Sequence, residues 1–199
     1  MLEDILYVKA TNMKLIGDLI PEGKTTLIHG RSGSGKTLSI IKYMIQHGVK
    51  PLFIDFDYND EYDDMNMVHI DGFKLVEEIA KGNEDIFKLL QSQVVIVDTY
   101  RKASMALEEK ELYDVVTLCD KINSLGSTVV VVSHTSYYSG KPAEPDCDIT
   151  FANHVACRLH LHNEVKKTKT DINLEVEKLR GMSSKMIPNW MRGQTIDHL

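Results

Sequence analysis

The sequence predicts an α/β protein in which a mainly parallel sheet is flanked by helices on both sides. Short apolar runs alternate with helical patterns, and the most regular runs are TTLIH, VVIVD and TVVVVS. Strands buried on both faces are typically continuous runs of Val and Ile, and parallel strands require crossover connections that are usually helices. These observations favour a layered α/β core.

The elements follow one another in a regular order. In chain order they are a strand at TTLIH, a helix over 36–47, a strand at PLFID, a helical pair over 72–90, a strand at VVIVD, a helix over 108–124 and a strand at TVVVVS. Beyond His162 the pattern changes, because residues 158–162 and 172–177 alternate polar and apolar around NEVKKTKTD. This alternation predicts a C-terminal β-hairpin appended to the parallel core.

Length and composition limit the organisation of the chain. The 199 residues fit a single core over 1–181, with an N-terminal lead-in, and a C-terminal tail over 182–199 that contains Trp190. The net charge of −6 argues against a protein that coats nucleic acid by charge alone. Any contact with DNA must therefore be focal.

Cysteine usage and hydropathy predict a cytoplasmic protein. Cys119, Cys147 and Cys157 are odd in number and lack CxxC spacing, so we expect reduced packing residues. No apolar stretch approaches the roughly 18 residues of a membrane span. We therefore expect no membrane partner.

The segment GRSGSGKT matches the P-loop pattern GxxxxGK[ST] and lies between a predicted strand and a predicted helix. Its glycines allow backbone N–H groups to surround a phosphate, and the helix adds its positive dipole end. The residues predicted to bind the nucleotide are Gly30, Arg31, Ser32, Gly33, Ser34, Gly35, Lys36 and Thr37. Lys36 would reach the β- and γ-phosphates of ATP, and the Thr37 hydroxyl would ligate Mg²⁺.

A P-loop site requires a carboxylate near the metal, and Asp98 supplies one at the end of the apolar strand VVIVD. This position fits the Walker B role of holding Mg²⁺ together with Thr37. Thr99 follows where many P-loop ATPases have a Glu, so the catalytic base must come from elsewhere. Asp55 and Asp57 end the preceding strand at the edge where ligands of open α/β sheets bind.

The order of these motifs resembles that of the RecA/DnaB/KaiC group of ATPases, over roughly residues 16–181. The segments IGDLIPEGKTTLIHGRSGSGKT, IVDTYRKA and VVVSHTS are most similar to RepA-type hexameric helicases and to small phage and plasmid RecA-like ATPases. The resemblance implies a RecA-like P-loop NTPase that hydrolyses ATP with Mg²⁺. It also implies self-assembly into a ring or filament.

Roles for further residues near the site are carried over from the resemblance. Asp57 would position the attacking water, Asp55 would be structural, and His134 would sense the γ-phosphate. Lys178 and Arg180 in EKLRG would complete a neighbouring subunit's site. Their spacing of two residues points both side chains the same way, on the face that carries Leu174 and Val176.

Two segments would face the central channel of such an assembly. The loop TYRKASM brings Arg101 and Lys102, and the loop TSYYSGKPAEPDCD brings Tyr137, Tyr138 and Lys141. Aromatics with spaced cations suit single-stranded DNA, although the same composition also describes a mobile loop. Both interpretations stay open.

Two lesser features concern aromatic and histidine residues. Tyr58 or Tyr62 could stack on the adenine, and nothing in the sequence selects between them. His160 and His162 lie on one face of a strand, and we assign them to exposed alternating positions without a zinc ion.

The leading functional expectation is an ATPase that acts on single-stranded DNA in recombination or replication, as a recombinase, an annealing-linked ATPase or a helicase motor. The alternative is a KaiC-like nucleotide-dependent switch with slow hydrolysis and protein partners. A small-molecule kinase ranks last, because KKTKTD is short and lacks the arginines of a lid.

Overall fold

The computed structural model describes residues 14–58, 62, 65–136, 144–166, 169–179 and 185–187. Several predicted features lie outside these residues: most of the lead-in, Tyr137, Tyr138, Lys141, Arg180 and Trp190 with most of the tail. The assignments made to them stay predictions.

Strands and helices alternate through most of the described chain. The strands are β1 (Leu15–Ile16), β2 (Ile20–Pro21), β3 (Thr25–Gly30), β4 (Leu52–Asp55), β5 (Val68–Asp71), β6 (Val94–Asp98), β7 (Thr128–Ser136), β8 (Glu144–Pro145), β9 (Cys157–Lys166), β10 (Lys169–Leu179) and β11 (Lys185–Ile187). The helices are α1 (Lys36–Gln46), α2 (Gly72–Ala80), α3 (Ile86–Leu89), α4 (Tyr100–Glu109), α5 (Val115–Ser124) and α6 (Ile149–His154).

Nine of the described strands form one large sheet in the order β11-β10-β9-β3-β7-β6-β4-β5, with the short β8 paired to β7, and β1 and β2 form a separate two-stranded sheet. All pairs from β9 to β5 are parallel, whereas β9 with β10 and β10 with β11 are antiparallel. The predicted mainly parallel sheet is confirmed, and the predicted hairpin is formed by β9 and β10. Because β9 pairs with β3, the hairpin extends the sheet directly beside the P-loop strand.

Two hydrophobic cores lie on opposite faces of the sheet. Successive residues of β3 show the division, since Leu27 packs with α2, α4, α5 and α6, and Ile28 packs with α1 and the β1–β2 ribbon. Along β7, Val129 and Val131 face the first core, and Val130 and Val132 face the second. This alternation buries both faces of the central strands and explains their continuous Val and Ile runs.

Side-chain caps set the start of two helices that cover the first core. The Asp71 carboxylate accepts hydrogen bonds from the backbone N–H groups of Phe73 and Lys74, at 3.0 and 3.1 Å. The Asp114 carboxylate accepts one from the N–H of Thr117 at 2.8 Å. Such caps satisfy N–H groups that have no partner within the helix.

Two sequence predictions about elements are wrong, and one strand was not predicted. The segment after Asp98 is the helix α4 rather than a loop, because Tyr100, Ala103 and Leu107 recur at helical spacing and are buried. The single helix over 108–124 is two helices, since α4 ends at Glu109 and the Asp114 cap starts α5 at Val115. The edge strand β5 was missed because its residues are half-exposed and carry no continuous apolar run.

None of the helices in the described part of the chain is long and apolar enough to cross a membrane. The longer ones, such as α1 with 11 residues, cover the sheet.

Candidate functional site

The P-loop joins the end of β3 to the start of α1, as predicted. Gly35 adopts a left-handed conformation with φ 78° and ψ 20°, which glycine accepts at no steric cost, and directs the chain into α1. Gly30 lies against the hairpin strand, where a Cβ would stand 2.6 Å from the carbonyl oxygen of Leu161. A side chain at position 30 would therefore separate the loop from its supporting strand.

The side chains that the P-loop pattern singles out are buried and paired. Thr37 donates a hydrogen bond from Oγ1 to Oδ2 of Asp98 at 2.7 Å. Lys36 donates from Nζ to the carbonyl oxygen of Arg31 at 2.8 Å. The exposed fractions of Lys36, Thr37 and Asp98 are 5%, 8% and 2%. The structure therefore brings together the two residues predicted to hold a metal.

These residues line a cleft of about 200 Å³ at the carboxyl end of the sheet, here called the P-loop cleft. Its lining residues are Ser32, Gly33, Gly35, Lys36, Thr37, Asp57, Tyr62, Asp98, Thr99, Val132 and His134. Residues from β3, β4, β6 and β7 or from the segments that follow them meet here, because the carboxyl ends of parallel strands share one edge of a sheet.

The charges in the P-loop cleft are incompletely compensated. Burial raises the pKa of the Asp98 carboxyl to about 6, the hydrogen bond from Thr37 opposes the shift, and the charge of Asp57 adds to it. Burial lowers the pKa of the Lys36 ammonium group, and Asp98 and Asp57 counter part of that shift. A cation beside Asp98 and an anion beside Lys36 would stabilise the charged form of each.

Asp57 lines the cleft and is held by two neighbours. Its Oδ1 is 2.5 Å from Nζ of Lys102, a residue of α4. Its backbone N–H donates to Oδ1 of Asp55 at 2.6 Å, and Oδ2 of Asp55 is 3.2 Å from Nε2 of His69. The structural role expected for Asp55 fits these contacts. The pairing of Lys102 was missed because the segment was interpreted as a channel loop.

His134 lines the cleft because β7 lies between the P-loop strand β3 and the Asp98 strand β6. In the sheet register His134 stands beside Gly30, and Val132 stands beside Asp98. Nδ1 of His134 is buried and has no hydrogen-bond partner among the described residues. Burial lowers the pKa of its imidazole, and the charge of Lys36 acts in the same direction, so the ring is neutral at pH 7.

Lys178 does not join the P-loop cleft of its own chain. Because β10 runs antiparallel to β9, Lys178 stands beside Arg158, which pairs with Leu27 rather than with the P-loop end of β3. Its Nζ donates to the carbonyl oxygen of Asn153 at 2.6 Å.

The prediction that Lys178 shares a face with Leu174 and Val176 is wrong. A register shift lies between Val176 and Lys178, and Leu179 joins Leu174 and Val176 in one core. The bulge therefore turns Lys178 to the other face of the sheet.

The described cations assigned to a DNA channel are engaged in ion pairs. Arg101 and Lys102 lie in the first turn of α4, where Arg101 is 3.3 Å from Asp146 and Lys102 is paired with Asp57. Each of these two cations therefore has a carboxylate counter-charge beside it.

The two candidate adenine contacts differ in position. Tyr62 lines the P-loop cleft and makes an edge contact with Phe53. Tyr58 is 64% exposed and stacks on Phe73. The structure therefore places Tyr62, rather than Tyr58, at the cleft.

The interpretation of His160 as an exposed strand residue is wrong, because its exposed fraction is 4%. It lies between two other histidine rings on a face of the hairpin that also carries Glu175 and Glu177.

Comparison of the sequence with protein families finds no match, and comparison with curated proteins finds none either.

Proposed function

We propose that this protein is a Mg²⁺-dependent ATPase with a RecA-like P-loop core. The observation that supports this proposal most is the hydrogen bond between Thr37 and Asp98, which joins the P-loop to the neighbouring acidic strand end at 2.7 Å. A hydroxyl and a carboxylate are oxygen ligands of the type that Mg²⁺ prefers. Nδ1 of His134, which has no hydrogen-bond partner among the described residues, lies at the same cleft.

Each residue of the cleft would have a distinct task in hydrolysis. Lys36 would leave the carbonyl oxygen of Arg31 to bind phosphate, and the neutral His134 would donate a hydrogen bond to it. Asp57 would orient the attacking water once its carboxylate leaves Lys102. Thr37 and Asp98 would hold Mg²⁺, which supplies charge neutralisation on the phosphates.

We further propose that copies of the chain assemble as a ring or filament on single-stranded DNA, with Lys178 and Arg180 serving a neighbouring subunit. This part rests on the resemblance of the motifs. The acidic composition and the ion pairs of Arg101 and Lys102 require any DNA contact to be local.

A second candidate function is a nucleotide-dependent switch with slow hydrolysis and protein partners. The observation that favours it is the ion pair between Lys102 and Asp57. Nζ of Lys102 is 2.5 Å from Oδ1 of Asp57, the carboxylate proposed to orient the attacking water. A base that is retained by a lysine activates water poorly, so turnover would be slow until a partner draws Lys102 away.

The experiment that tests the proposal is ATP hydrolysis by the full chain, with and without single-stranded DNA, beside the variant Lys36→Ala. Turnover that DNA stimulates strongly and that Lys36→Ala abolishes would support the DNA-dependent ATPase. Slow turnover that is indifferent to DNA would support the switch. Failure to bind ATP in the presence of Mg²⁺ would contradict both functions.

A further inference from the structure

Five side chains form a compact polar group beside the P-loop strand, on the sheet face opposite the core of α1. This histidine–glutamate cluster consists of His29 from β3, His160 and His162 from β9, and Glu175 and Glu177 from β10. His29 directly precedes Gly30, and in the sheet register it pairs with His160. His160 in turn pairs with Glu175. Three adjacent strands therefore contribute to one group.

The three imidazole rings lie in a row with carboxylates at their edges. The rings of His29 and His160 are stacked, with centroids 4.3 Å apart and planes at 18°. The rings of His160 and His162 have centroids 3.8 Å apart. Nε2 of His29 is 3.0 Å from Oε2 of Glu177, and Nε2 of His162 is 2.8 Å from Oε2 of Glu175.

His160 is the central ring of the cluster and the one whose polar atoms are least satisfied. Its Nδ1 is 3.5 Å from Glu177 and 3.9 Å from Glu175, and both distances are long for a direct hydrogen bond. Its Nε2 is buried and has no hydrogen-bond partner among the described residues. Nδ1, which faces both carboxylates, is the atom of His160 that a cation held between these groups would bind.

We propose that His29, His160 and Glu177 form a binding site for one divalent transition metal ion, with zinc the best match to this ligand set. Two imidazoles and one carboxylate form a known type of three-residue zinc site. Ligand bonds of about 2.0–2.1 Å in a tetrahedron place ligand atoms roughly 3.3 Å apart. Nε2 of His29 lies 3.0 Å from Oε2 of Glu177, and Nδ1 of His160 lies 3.5 Å from Oε1 of the same carboxylate, so the two separations bracket that value.

Two neighbouring residues, Thr135 and Arg158, contact the proposed ligands and would affect metal binding. Thr135 Oγ1 is 3.0 Å from Nδ1 of His29, and it would accept a hydrogen bond from the protonated Nδ1 and so leave Nε2 for the metal. Nε of Arg158 is 2.6 Å from Oε2 of Glu177, so its guanidinium is the present counter-charge of that carboxylate. Arg158 is partly exposed and would move outward when the metal binds. Removing its charge would therefore strengthen metal binding.

The test is a titration of the chelator-treated, nucleotide-free full chain with Co²⁺, followed by visible absorption and then by displacement with Zn²⁺. We expect one equivalent to bind with the spectrum of a tetrahedral nitrogen and oxygen site. Saturating Zn²⁺ at about 100 times its dissociation constant should raise the melting temperature by roughly 5–10 °C. The same stoichiometry in Asp98→Asn separates this site from the P-loop cleft.

Variants decide between a metal site and a purely structural polar group. His160→Gln should abolish binding, whereas the control His154→Gln, which removes a surface histidine paired with Asp120, should leave it unchanged. Arg158→Gln should tighten Co²⁺ binding about tenfold, because it removes a positive charge next to Glu177. This variant keeps the test decisive if His160→Gln fails to fold.

Three results would overturn the proposal: no binding below about 1 mM Co²⁺, binding that persists in a folded His160→Gln protein, or unchanged affinity in Arg158→Gln. None of these results depends on ATP, so the metal site can fail while the ATPase stands, and the reverse also holds.

Discussion

The P-loop cleft and the histidine–glutamate cluster adjoin the same strand, β3, yet differ in how they are built. The core of the cleft is a continuous segment, Gly30 to Thr37, to which one carboxylate from β6 is joined by a 2.7 Å hydrogen bond. The cluster contains no continuous segment, since its members come from β3, β9 and β10. One region follows a local pattern, and the other exists only through strand pairing.

The two regions differ in how their central side chains are satisfied, although each contains one buried imidazole nitrogen without a partner among the described residues, Nδ1 of His134 in the cleft and Nε2 of His160 in the cluster. In the cleft, Lys36 and Thr37 have protein partners that a ligand would replace. In the cluster, His160 lacks a partner at Nε2 among the described residues. The comparison indicates that a local motif can be recognised without a structure, whereas a cross-strand site is found by accounting for buried polar groups.

The largest effect that separates the regions is expected from Lys36→Ala. Loss of the ammonium group that is proposed to bind the phosphates should lower kcat for ATP hydrolysis by about 100–1,000-fold. Co²⁺ binding by the cluster should not change. The matched control is Lys42→Ala in the same helix, and an equal loss of turnover there would show that the effect is not specific to the cleft.

The next effect concerns Asp57, the residue proposed to orient water. Asp57→Asn should lower kcat roughly 100-fold while the KM for ATP changes little, because the lost interaction acts in the transition state. Steady-state kinetics would measure both constants. Normal turnover in this variant would remove Asp57 from the mechanism and leave the 2.5 Å pair with Lys102 as a purely structural contact.

A third effect concerns stability and its dependence on pH in the empty cleft. Burial raises the pKa of Asp98 to about 6, above its value in the unfolded chain. The native state therefore loses stability as pH rises from about 4 to about 6, since the unfolded state ionises more readily there. In EDTA without nucleotide, Asp98→Asn should be more stable than the wild type by up to about 3 kcal/mol at pH 7.

Urea unfolding at several pH values measures this difference, which should vanish below about pH 4. A variant that is less stable than the wild type at pH 7 would show that the Asp98 carboxylate stabilises the empty protein.

Gly30 is the point where the two regions touch, and its substitution should affect both. A Cβ at position 30 would stand 2.6 Å from the backbone carbonyl oxygen of Leu161, which cannot move as a side chain does. Gly30→Ala should lower the free energy of unfolding by about 1–3 kcal/mol. An unchanged unfolding midpoint would mean that β3 and β9 do not pack as closely as the structure has them.

The smallest effect is expected from Lys178→Ala in dilute protein. Its hydrogen bond to the carbonyl oxygen of Asn153 should contribute less than about 1 kcal/mol to stability. Turnover should fall only at concentrations where copies assemble, because Lys178 lies away from the cleft of its own chain. Loss of turnover in dilute monomer would contradict that location.

Much of the parallel core and the P-loop cleft could be predicted from sequence, for identifiable reasons. The Val and Ile runs of β6 and β7 and the glycine spacing of the P-loop are local patterns. Their structural meaning does not depend on contacts with distant parts of the chain. Asp98 was predictable because it ends such a run. The same reasoning missed α4, although Tyr100, Ala103 and Leu107 recur at helical spacing.

Features that depend on the register between strands could not be predicted from the sequence. The bulge that turns Lys178 away from Leu174 and Val176 leaves the polar and apolar order of β10 unchanged. The burial of His160 depends on β9 pairing with both β3 and β10, and alternation alone cannot distinguish a covered strand from an exposed one. The ion pair between Asp57 and Lys102 could be predicted only if Lys102 was known to lie on a helix.

The central claim is that Thr37 and Asp98 bind Mg²⁺ together with ATP in the P-loop cleft. Calorimetric titration of ATP with and without Mg²⁺ tests it most directly, using the wild type, Asp98→Asn and the surface control Asp120→Asn. We predict that Mg²⁺ strengthens ATP binding about tenfold or more in the wild type and the control, and that Asp98→Asn loses this gain. An Mg²⁺ effect that is the same in all three proteins, or absent from all three, would contradict the claim.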